Sequence, residues 1–233
     1  MAVKTKGIIP RAIRLIKRIF IFLFFFHLFY ILLLKWAYPP FTLTQMHSLL
    51  RGDGLKRNYV NMKNISAYAK LAVISSEDQL FPDHDGFDFK SIDKAMKHNQ
   101  KSKSMHGAST ISQQVAKNVF LWQGRSWMRK ALEVYFTFMI EMVWGKKRIL
   151  EMYLNVSEMG KGVYGIDAAA KHYFQKPAKN LSRSEAAMIA ACLPNPKVYT
   201  LQPMSRHVAA RFPWILAQMK RLQEDEDVQK LIQ

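Results

Sequence analysis

The chain has 233 residues and a formal net charge of +18, from 35 Lys and Arg against 17 Asp and Glu. This length allows one well-buried domain with appendages. The single cysteine, Cys192, excludes an internal disulfide, and its apolar helical surroundings indicate a small core residue.

An uncharged apolar run covers residues 19–34, and His27 is its one polar side chain. As a helix this run is about 24 Å long, slightly short of a bilayer core of about 30 Å. Lys35 can reach the interface by snorkelling, and Trp36 and Tyr38 are typical of an interfacial belt. The pattern predicts a single transmembrane anchor over residues 19–38.

Residues 1–18 form a basic tail, which the positive-inside rule places in the cytoplasm. Its cations are Lys4, Lys6, Arg11, Arg14, Lys17 and Arg18. A cleaved signal peptide is the main alternative, but the sequence after the apolar run, KWAYPPFTL, offers no small-residue cleavage site. Since the folded part then lies across the membrane from the genome, the positive charge favours anionic lipid or a phosphorylated substrate over nucleic acid.

Pro39 and Pro40 end the anchor, and residues 39–62 are expected to be a polar connector. The remaining residues, 63–233, have a helical pattern with little strand signal and no internal repeat. Ser182 and Glu185 form a capping-box pattern before one of the helices, and a last helix is expected after Pro203. The predicted apolar stripes are Leu132, Tyr135, Phe136, Met139, Ile140 and Val143; Ile149, Leu150, Tyr153 and Leu154; and Ala186, Ala187, Ile189, Ala190 and Leu193.

Two segments interrupt the helical pattern. Residues 89–106 carry five lysines among Ser, Asn and Gln, which indicates a mobile basic loop or ordinary solvated charge. Residues 157–165 contain three glycines and are expected to form a tight loop that holds neighbouring helices close together.

An acidic island occupies residues 77–88, with the sequence EDQLFPDHDGFD. It holds five acids, and no Lys or Arg falls between Lys70 and Lys90. Apolar spacing before it places Glu77 at the C-terminus of a helix, where the dipole disfavours the ionised carboxylate and suits a general base or acid. The alternative is a solvated Asp-rich turn around Pro82 and Gly86.

Two further motifs follow the island. The first, GASTISQQVAKN, begins a helix at Ser109 or Thr110, whose free N–H groups would favour an anion near Lys117. It lacks the second glycine of a serine-hydrolase GxSxG motif. The second, RSWMRKALE, spaces Arg129 and Glu133 as a surface ion pair or, with the neighbouring cations, as a pyrophosphate site that keeps Glu133 ionised.

The order of these motifs, followed by KKRILEMYLN, the glycine loop and AAAKHYFQK, resembles the peptidoglycan glycosyltransferase family over about residues 63–196. The chain most resembles monofunctional members from Gram-negative bacteria, because few residues remain for a transpeptidase domain. An SxxK match from Ser91 to Lys94 lacks a following KTG and is read as chance. The resemblance implies a mainly α, lysozyme-like helical domain on one N-terminal transmembrane helix.

The resemblance also implies a reaction: polymerisation of lipid II into β-1,4 glycan strands, with inversion and release of undecaprenyl pyrophosphate. Glu77 would take the proton of the acceptor 4-hydroxyl. Glu133 would assist departure on the donor side, directly or through a divalent cation (Mg²⁺ or Mn²⁺) that bridges it to the pyrophosphate. No tightly bound cofactor is expected.

The remaining site residues come from the same resemblance and its neighbouring cations. The predicted substrate-binding residues are Lys117, Arg125, Ser109, Gln113, Gln114, Asn118, Arg129 and Lys130. Turn or cleft support is expected from His84, Asp88, Glu151, Tyr153 and Asn155. Leu132 and Gln175 depart from residues frequent in the family, a basic residue and a glycine.

The resemblance places the protein in the bacterial inner membrane with a periplasmic catalytic domain. Its expected partners are lipid II, the growing lipid-linked glycan, the membrane and other cell-wall synthesis proteins. Residues 119–128 are expected to dip into the outer leaflet or to be buried in the domain. Two other functions stay open: a lytic transglycosylase or muramidase, which needs no pyrophosphate site, and an inactive membrane scaffold for cell-wall synthesis.

Overall fold

A computed structural model describes residues 8–101, 107–124 and 126–233. The chain divides into two compact units, Met1–Ala37 and Tyr38–Gln233. Helix α1, Ile8–Leu33, belongs to the first unit, and its part Ala12–Leu33 is long and apolar enough to cross a membrane. This helix ends before Trp36 and Tyr38, earlier than the predicted boundary at residue 38.

The described part of the second unit is mainly helical, which confirms the predicted fold class. Its helices are α2 (Leu43–Leu50), α3 (Ala67–Glu77), α4 (Phe89–Lys101), α5 (Ile111–Phe120), α6 (Trp127–Trp144), α7 (Lys146–Val156), α8 (Ile166–Phe174), α9 (Arg183–Cys192), α10 (Arg206–Leu222) and α11 (Glu226–Ile232). Its strands are β1 (Lys56–Arg57), β2 (Glu158–Gly160) and β3 (Val163–Tyr164). Helix α5 packs against α6 and α7, and α9 packs against α3 and α10.

Two of the predicted stripes are buried, and the third is rotated. Ile149, Leu150, Tyr153 and Leu154 of α7 are almost wholly inaccessible, as are the alanines of α9. In α6, by contrast, the buried residues are Glu133, Thr137, Ile140 and Trp144, whereas Tyr135 is exposed. The Glu133 carboxylate and the Thr137 hydroxyl thus face the core, whereas the apolar spacing predicted that neighbouring residues would face it.

Three segments are more regular than the sequence indicated. The predicted connector, residues 39–62, contains α2 and β1. The predicted basic loop is helix α4 as far as Lys101, while residues 102–106 lie outside the described residues. The glycine segment forms β2 and β3, which pair antiparallel, and β1 joins β3 in parallel.

The glycine segment is as tight as expected. Gly165 has φ +86°, and a Cβ atom there would lie 2.6 Å from the carbonyl oxygen of Asn155. Only glycine therefore accommodates this turn between β3 and α8. The close approach fixes α8 against the C-terminal end of α7, the helix that contains Tyr153.

Candidate active site

Glu77 is the last residue of α3, a helix that starts at the N-cap Ser66 and buries most of its residues. Asp78 ends the helix with an extended φ of −162°. The Asp78 carboxylate accepts a hydrogen bond from the backbone N–H of Ile111 at 2.9 Å and pairs with His84 Nε2 at 3.0 Å. Asp78 therefore joins the end of α3 to the start of α5 and fixes the position of Glu77.

The remainder of the acidic island is a folded turn. The N–H of Gly86 donates to His84 Nδ1 at 3.1 Å, which leaves Nε2–H to donate to Asp78. Gly86 has φ +88°, and a Cβ atom there would lie 2.8 Å from Cγ2 of Thr137 on α6. Asp88 caps α4 by accepting from the N–H of Ser91 at 2.9 Å. His84 and Asp88 thus shape the turn, as predicted, and Asp78 is buried rather than solvated.

Glu77 is intermediate in exposure as a whole residue, and the hydrogen-bond donors to its carboxylate are neutral. Gln114 Nε2 donates to Oε2 at 2.8 Å, and Ser76 Oγ donates to Oε1 at 3.2 Å. The hydroxyl of Tyr153 in turn donates to Gln114 Oε1 at 3.2 Å. Desolvation raises the pKa of Glu77, and the hydrogen bonds from Gln114 and Ser76 oppose that rise without cancelling it.

Arg211 of α10 is a further charge acting on Glu77. Burial lowers the pKa of Arg211, while the attraction of Glu77 raises it. The guanidinium stacks on Trp214 at 3.7 Å from the ring centroid. Sequence reasoning missed Arg211, because its helix follows all the motifs along the chain and no local pattern connects it to Glu77.

Glu133 lies on the buried face of α6, and its surroundings are cationic. Arg129 Nη1 is 3.0 Å from Oε2, and Lys130 Nζ is 2.6 Å from Oε1. Only 5% of the Glu133 side chain is exposed, against 44% for Lys130. The buried Nε of Arg129 has no hydrogen-bond partner among the described residues. This cluster is therefore not the ordinary surface ion pair, because the carboxylate and the guanidinium are both largely withdrawn from solvent.

Lys117 lies on α5, about one turn after Gln114, and senses both glutamates. Burial lowers the pKa of Lys117; attraction by Glu133 and by Glu77 opposes this shift, and repulsion by Arg129 adds to it. A half-buried ammonium in this position links the Glu77 and Glu133 regions electrostatically. The combination of one carboxylate amid neutral donors and one amid cations is typical of sites that separate proton transfer from anion binding.

Two cavities border the residues around Glu77 and Lys117. One, of about 410 Å³, is lined by Glu77, Asp88, Lys94 and Ser109 among others. Another, of about 180 Å³, is lined by Gln114, Lys117, Asn118 and Tyr153 among others. Ser109 therefore borders the same cavity as Glu77, and Asn118 borders the same cavity as Lys117.

Two other predicted site residues have different positions. Gln113 is buried in the α5 capping box, where its Oε1 accepts from the N–H of Thr110 at 3.0 Å. Its side chain therefore supports the helix start that also holds Asp78. Arg125 lies outside the described residues.

Glu151 and Asn155 hold the preceding chain segment against α7. Glu151 Oε1 accepts from the N–H of Met62 at 2.9 Å, and Asn155 Oδ1 accepts from the N–H of Val60 at 2.8 Å. Both side chains thus support the framework around Tyr153, as predicted.

A resident divalent cation fits these residues poorly. Both Glu133 oxygens already face cationic donors, Arg129 and Lys130. Within residues 8–101, 107–124 and 126–233, no three His, Cys, Asp or Glu side chains are grouped to hold a metal ion. Because Mg²⁺ and Mn²⁺ require several oxygen ligands, the described protein groups alone offer no complete site for a resident ion, and a bridging ion would take most of its ligands from pyrophosphate and water.

A family model and several known proteins match most of this chain. Residues 44–220 match the family model described as transglycosylase. A biosynthetic peptidoglycan transglycosylase of Haemophilus influenzae is 49% identical over 211 residues, covering 87% of this chain and 86% of that protein. Proteins of the same name from Mannheimia succiniciproducens and Yersinia pestis are 53% and 50% identical, over 71% and 82% of this chain and 68% and 83% of their own lengths.

Proposed function

The chain belongs to the transglycosylase family, with its lysozyme-like helical fold, and we propose that it is a peptidoglycan glycosyltransferase that polymerises lipid II into linear β-1,4 glycan strands. The observation that carries this proposal is the contrast around α5: a desolvated carboxylate, Glu77, on one side and a cationic cluster at Glu133 on the other. An inverting transfer needs a base for the acceptor and a separate site for an anionic leaving group.

Glu77 acts as the general base. Its carboxylate removes the proton of the acceptor 4-hydroxyl while that oxygen bonds to the anomeric carbon of the donor. The raised pKa strengthens the base, since a desolvated carboxylate holds a proton more tightly. Gln114, itself held by Tyr153, fixes one carboxylate oxygen and leaves the acceptor to meet the other.

The cationic cluster receives the leaving group. As the bond from the anomeric carbon to the phosphate oxygen breaks, negative charge develops on the undecaprenyl pyrophosphate. Lys117 is suited to bind that charge, because it lines a cavity and lies within the electrostatic reach of Arg129 and Lys130. Glu133 holds Arg129 and Lys130 in place and keeps their charges close together. In this scheme Glu133 acts through these two cations and not through a resident metal ion.

The protein works at a membrane. Helix α1 supplies an apolar segment long enough for an anchor, and we assign it to the bacterial inner membrane with the catalytic unit periplasmic. Of the segment predicted to enter the outer leaflet, Leu121 is buried and Phe120 stacks on Phe136 at 4.6 Å. Trp122 and Trp127 are 40% and 90% exposed, so leaflet contact is expected from these two indoles.

Polymerisation of purified lipid II in detergent tests the function. We expect polymer with the wild-type protein and no digestion of isolated sacculi, whereas inert lipid II with digested sacculi would indicate a lytic enzyme. Activity that survives a chelator supports the metal-free role of Glu133. Loss of activity with the chelator, restored by Mg²⁺ or Mn²⁺, would contradict that role while leaving the polymerase assignment intact.

A further inference from the structure

Helix α2 exposes its apolar side chains and buries its polar ones. Between 44% and 86% of each side chain is exposed at Leu43, Met46, Leu49 and Leu50, which we call the α2 apolar face. On a helical projection these four positions cover an arc of about 120°. The opposite arc carries Thr44, Gln45 and Ser48, all buried. A surface helix of a soluble protein has the reverse arrangement.

Hydrogen bonds fix this orientation. Thr44 Oγ1 accepts from Gln123 Nε2 at 2.9 Å, and Ser48 Oγ donates to the carbonyl of Gly54 at 2.9 Å. Gln45 Nε2 donates to the hydroxyl of Tyr59 at 3.0 Å, and Gln45 also closes the capping box with Thr42. Rotating α2 to bury its leucines would break all of these bonds, so the apolar face stays outward.

The chain itself indicates what covers this face. Nine residues separate Leu33, the last residue of the candidate membrane span, from Leu43. Fully extended, that segment reaches about 35 Å at most, which sets an upper limit on the distance between α2 and the end of the span. Exposed Phe41 extends the apolar face at the N-terminal end of α2, and exposed Arg51 and Lys56 follow its C-terminal end. Cations beside an apolar helix face match anionic headgroups above acyl chains.

We infer that the α2 apolar face lies in the headgroup–acyl boundary of the same membrane that holds α1. Its buried side connects directly to the active site. Thr44 donates to the carbonyl of Asn118 at 3.4 Å, and Thr44, Gln123 and Lys117 line one cavity. Lipid contact at α2 therefore sets how far the pyrophosphate-binding cations lie from the bilayer that delivers a lipid-linked substrate.

A depth measurement tests the inference in the full chain. Cys192 is buried, so a Cys192→Ala background allows one labelled cysteine at a time. An environment-sensitive fluorophore is attached at Met46→Cys or Leu50→Cys, and the protein is reconstituted into phosphatidylethanolamine–phosphatidylglycerol vesicles. Some vesicles carry a nitroxide near the headgroup end of the acyl chain and others near the chain terminus. Phe24→Cys in α1 is the inserted control, and Glu226→Cys, an exposed polar position of α11, is the aqueous control.

We expect quenching at positions 46 and 50 by the shallow nitroxide, and weaker quenching by the deep one, because interfacial helices insert about 5–10 Å. Phe24→Cys should respond more to the deep nitroxide, and Glu226→Cys to neither. If positions 46 and 50 behave like Glu226→Cys while Phe24→Cys is quenched, the α2 apolar face does not contact lipid and the inference is wrong. The measurement needs α1 in the bilayer but no turnover, so it is independent of the chemistry proposed for Glu77.

A second variant separates docking from folding. Leu43, Met46 and Leu50 are replaced together by Ser, and since all three side chains are exposed, the unfolding temperature should hardly change. We expect an increased KM for lipid II in vesicles, with kcat in detergent micelles near the wild-type value. An equal loss of activity in micelles and vesicles would show that the face supports the domain itself and does not act through lipid.

Discussion

Glu77 and Glu133 are two glutamates on different helices, α3 and α6, and their surroundings differ in kind. Glu77 receives its hydrogen bonds from an amide and a hydroxyl, at 2.8 and 3.2 Å. Glu133 faces a guanidinium and an ammonium, at 3.0 and 2.6 Å. Neutral donors leave the cost of desolvating Glu77 in place, so its pKa rises. Cations surround Glu133 on both carboxylate oxygens, which suits it to holding positive charge in place.

Replacing Glu77 by Gln gives the largest expected effect on activity. The amide retains the shape and the contact with Gln114 but cannot accept a proton. We expect kcat for lipid II polymerisation to fall about 10²–10⁴-fold, the usual contribution of a general base. Asp83→Asn is the matched control, because Asp83 is an exposed carboxylate of the same acidic island and should leave kcat unchanged. Full activity of the Gln variant would refute the proposed base.

Lys117 lies between the two carboxylates, and its removal should affect the donor side. Lys117→Met retains the length of the side chain without the charge, and kcat should fall about 10²–10³-fold, as for loss of a transition-state donor. The same change should raise the unfolding temperature, because burial disfavours the ammonium and lowers its pKa. Lys220→Met, at an exposed lysine near the C-terminal end of α10, is the control for net charge. A variant that loses stability along with activity would indicate a structural lysine.

The sequence was sufficient for the helical fold and for the order of the motifs, because the α7 and α9 stripes and the capping boxes are local patterns. It could not show that Asp78 is a structural residue that pairs with His84, since the other partner of Asp78, the N–H of Ile111, comes from another helix. The orientation of α6 was also mistaken. Apolar spacing assumes that carboxylates face water, whereas Glu133 is buried because Arg129 and Lys130 accompany it.

Contacts between residues distant in sequence also determine the orientation of α2 and the position of Arg211. Helix α2 was missed within the predicted connector, although its apolar residues follow helical spacing, and that spacing would in any case have faced them inward, whereas the polar side chains are the buried ones. Arg211 is near Glu77 only through the packing of α10 on α3. Residues that act through long-range packing have no signature in one sequence, whereas those within a motif do.

Replacing each of the two glutamates by Gln should change the free energy of unfolding in opposite directions. Glu133→Gln leaves Arg129 buried with a weaker partner, and we expect a loss of about 2–3 kcal/mol in the free energy of unfolding, somewhat reduced because Lys130 reaches water. Glu77→Gln should instead stabilise the protein at neutral pH, since the ionised carboxylate is disfavoured in the fold.

The pH dependence follows from the raised pKa of Glu77. The wild-type carboxylate destabilises the fold above its folded pKa, and the penalty shrinks as pH falls through that value toward the unfolded value of about 4.3. Thermal unfolding of the wild type and of Glu77→Gln from pH 8 to pH 4 should therefore show a difference in melting temperature that decreases on acidification. A constant difference would mean that the Gln variant acts through packing and not through charge.

The smallest expected effect is that of Tyr153→Phe, which removes the hydroxyl that donates to Gln114 at 3.2 Å. Gln114 is then held less firmly against Glu77, at a cost of about 1 kcal/mol, or roughly fivefold in kcat. Because the carboxylate loses part of its hydrogen-bond support, the acid limb of the kcat/KM profile should also move to higher pH. Tyr164→Phe is the matched control: its hydroxyl is likewise buried and donates to the carbonyl of Thr44 at 3.3 Å, without contact to Glu77. A comparable drop in kcat for both variants, with neither acid limb displaced, would show that Tyr153 supports packing alone. Gln114 and Ser76 would then be the only two of these side chains that influence the pKa of Glu77.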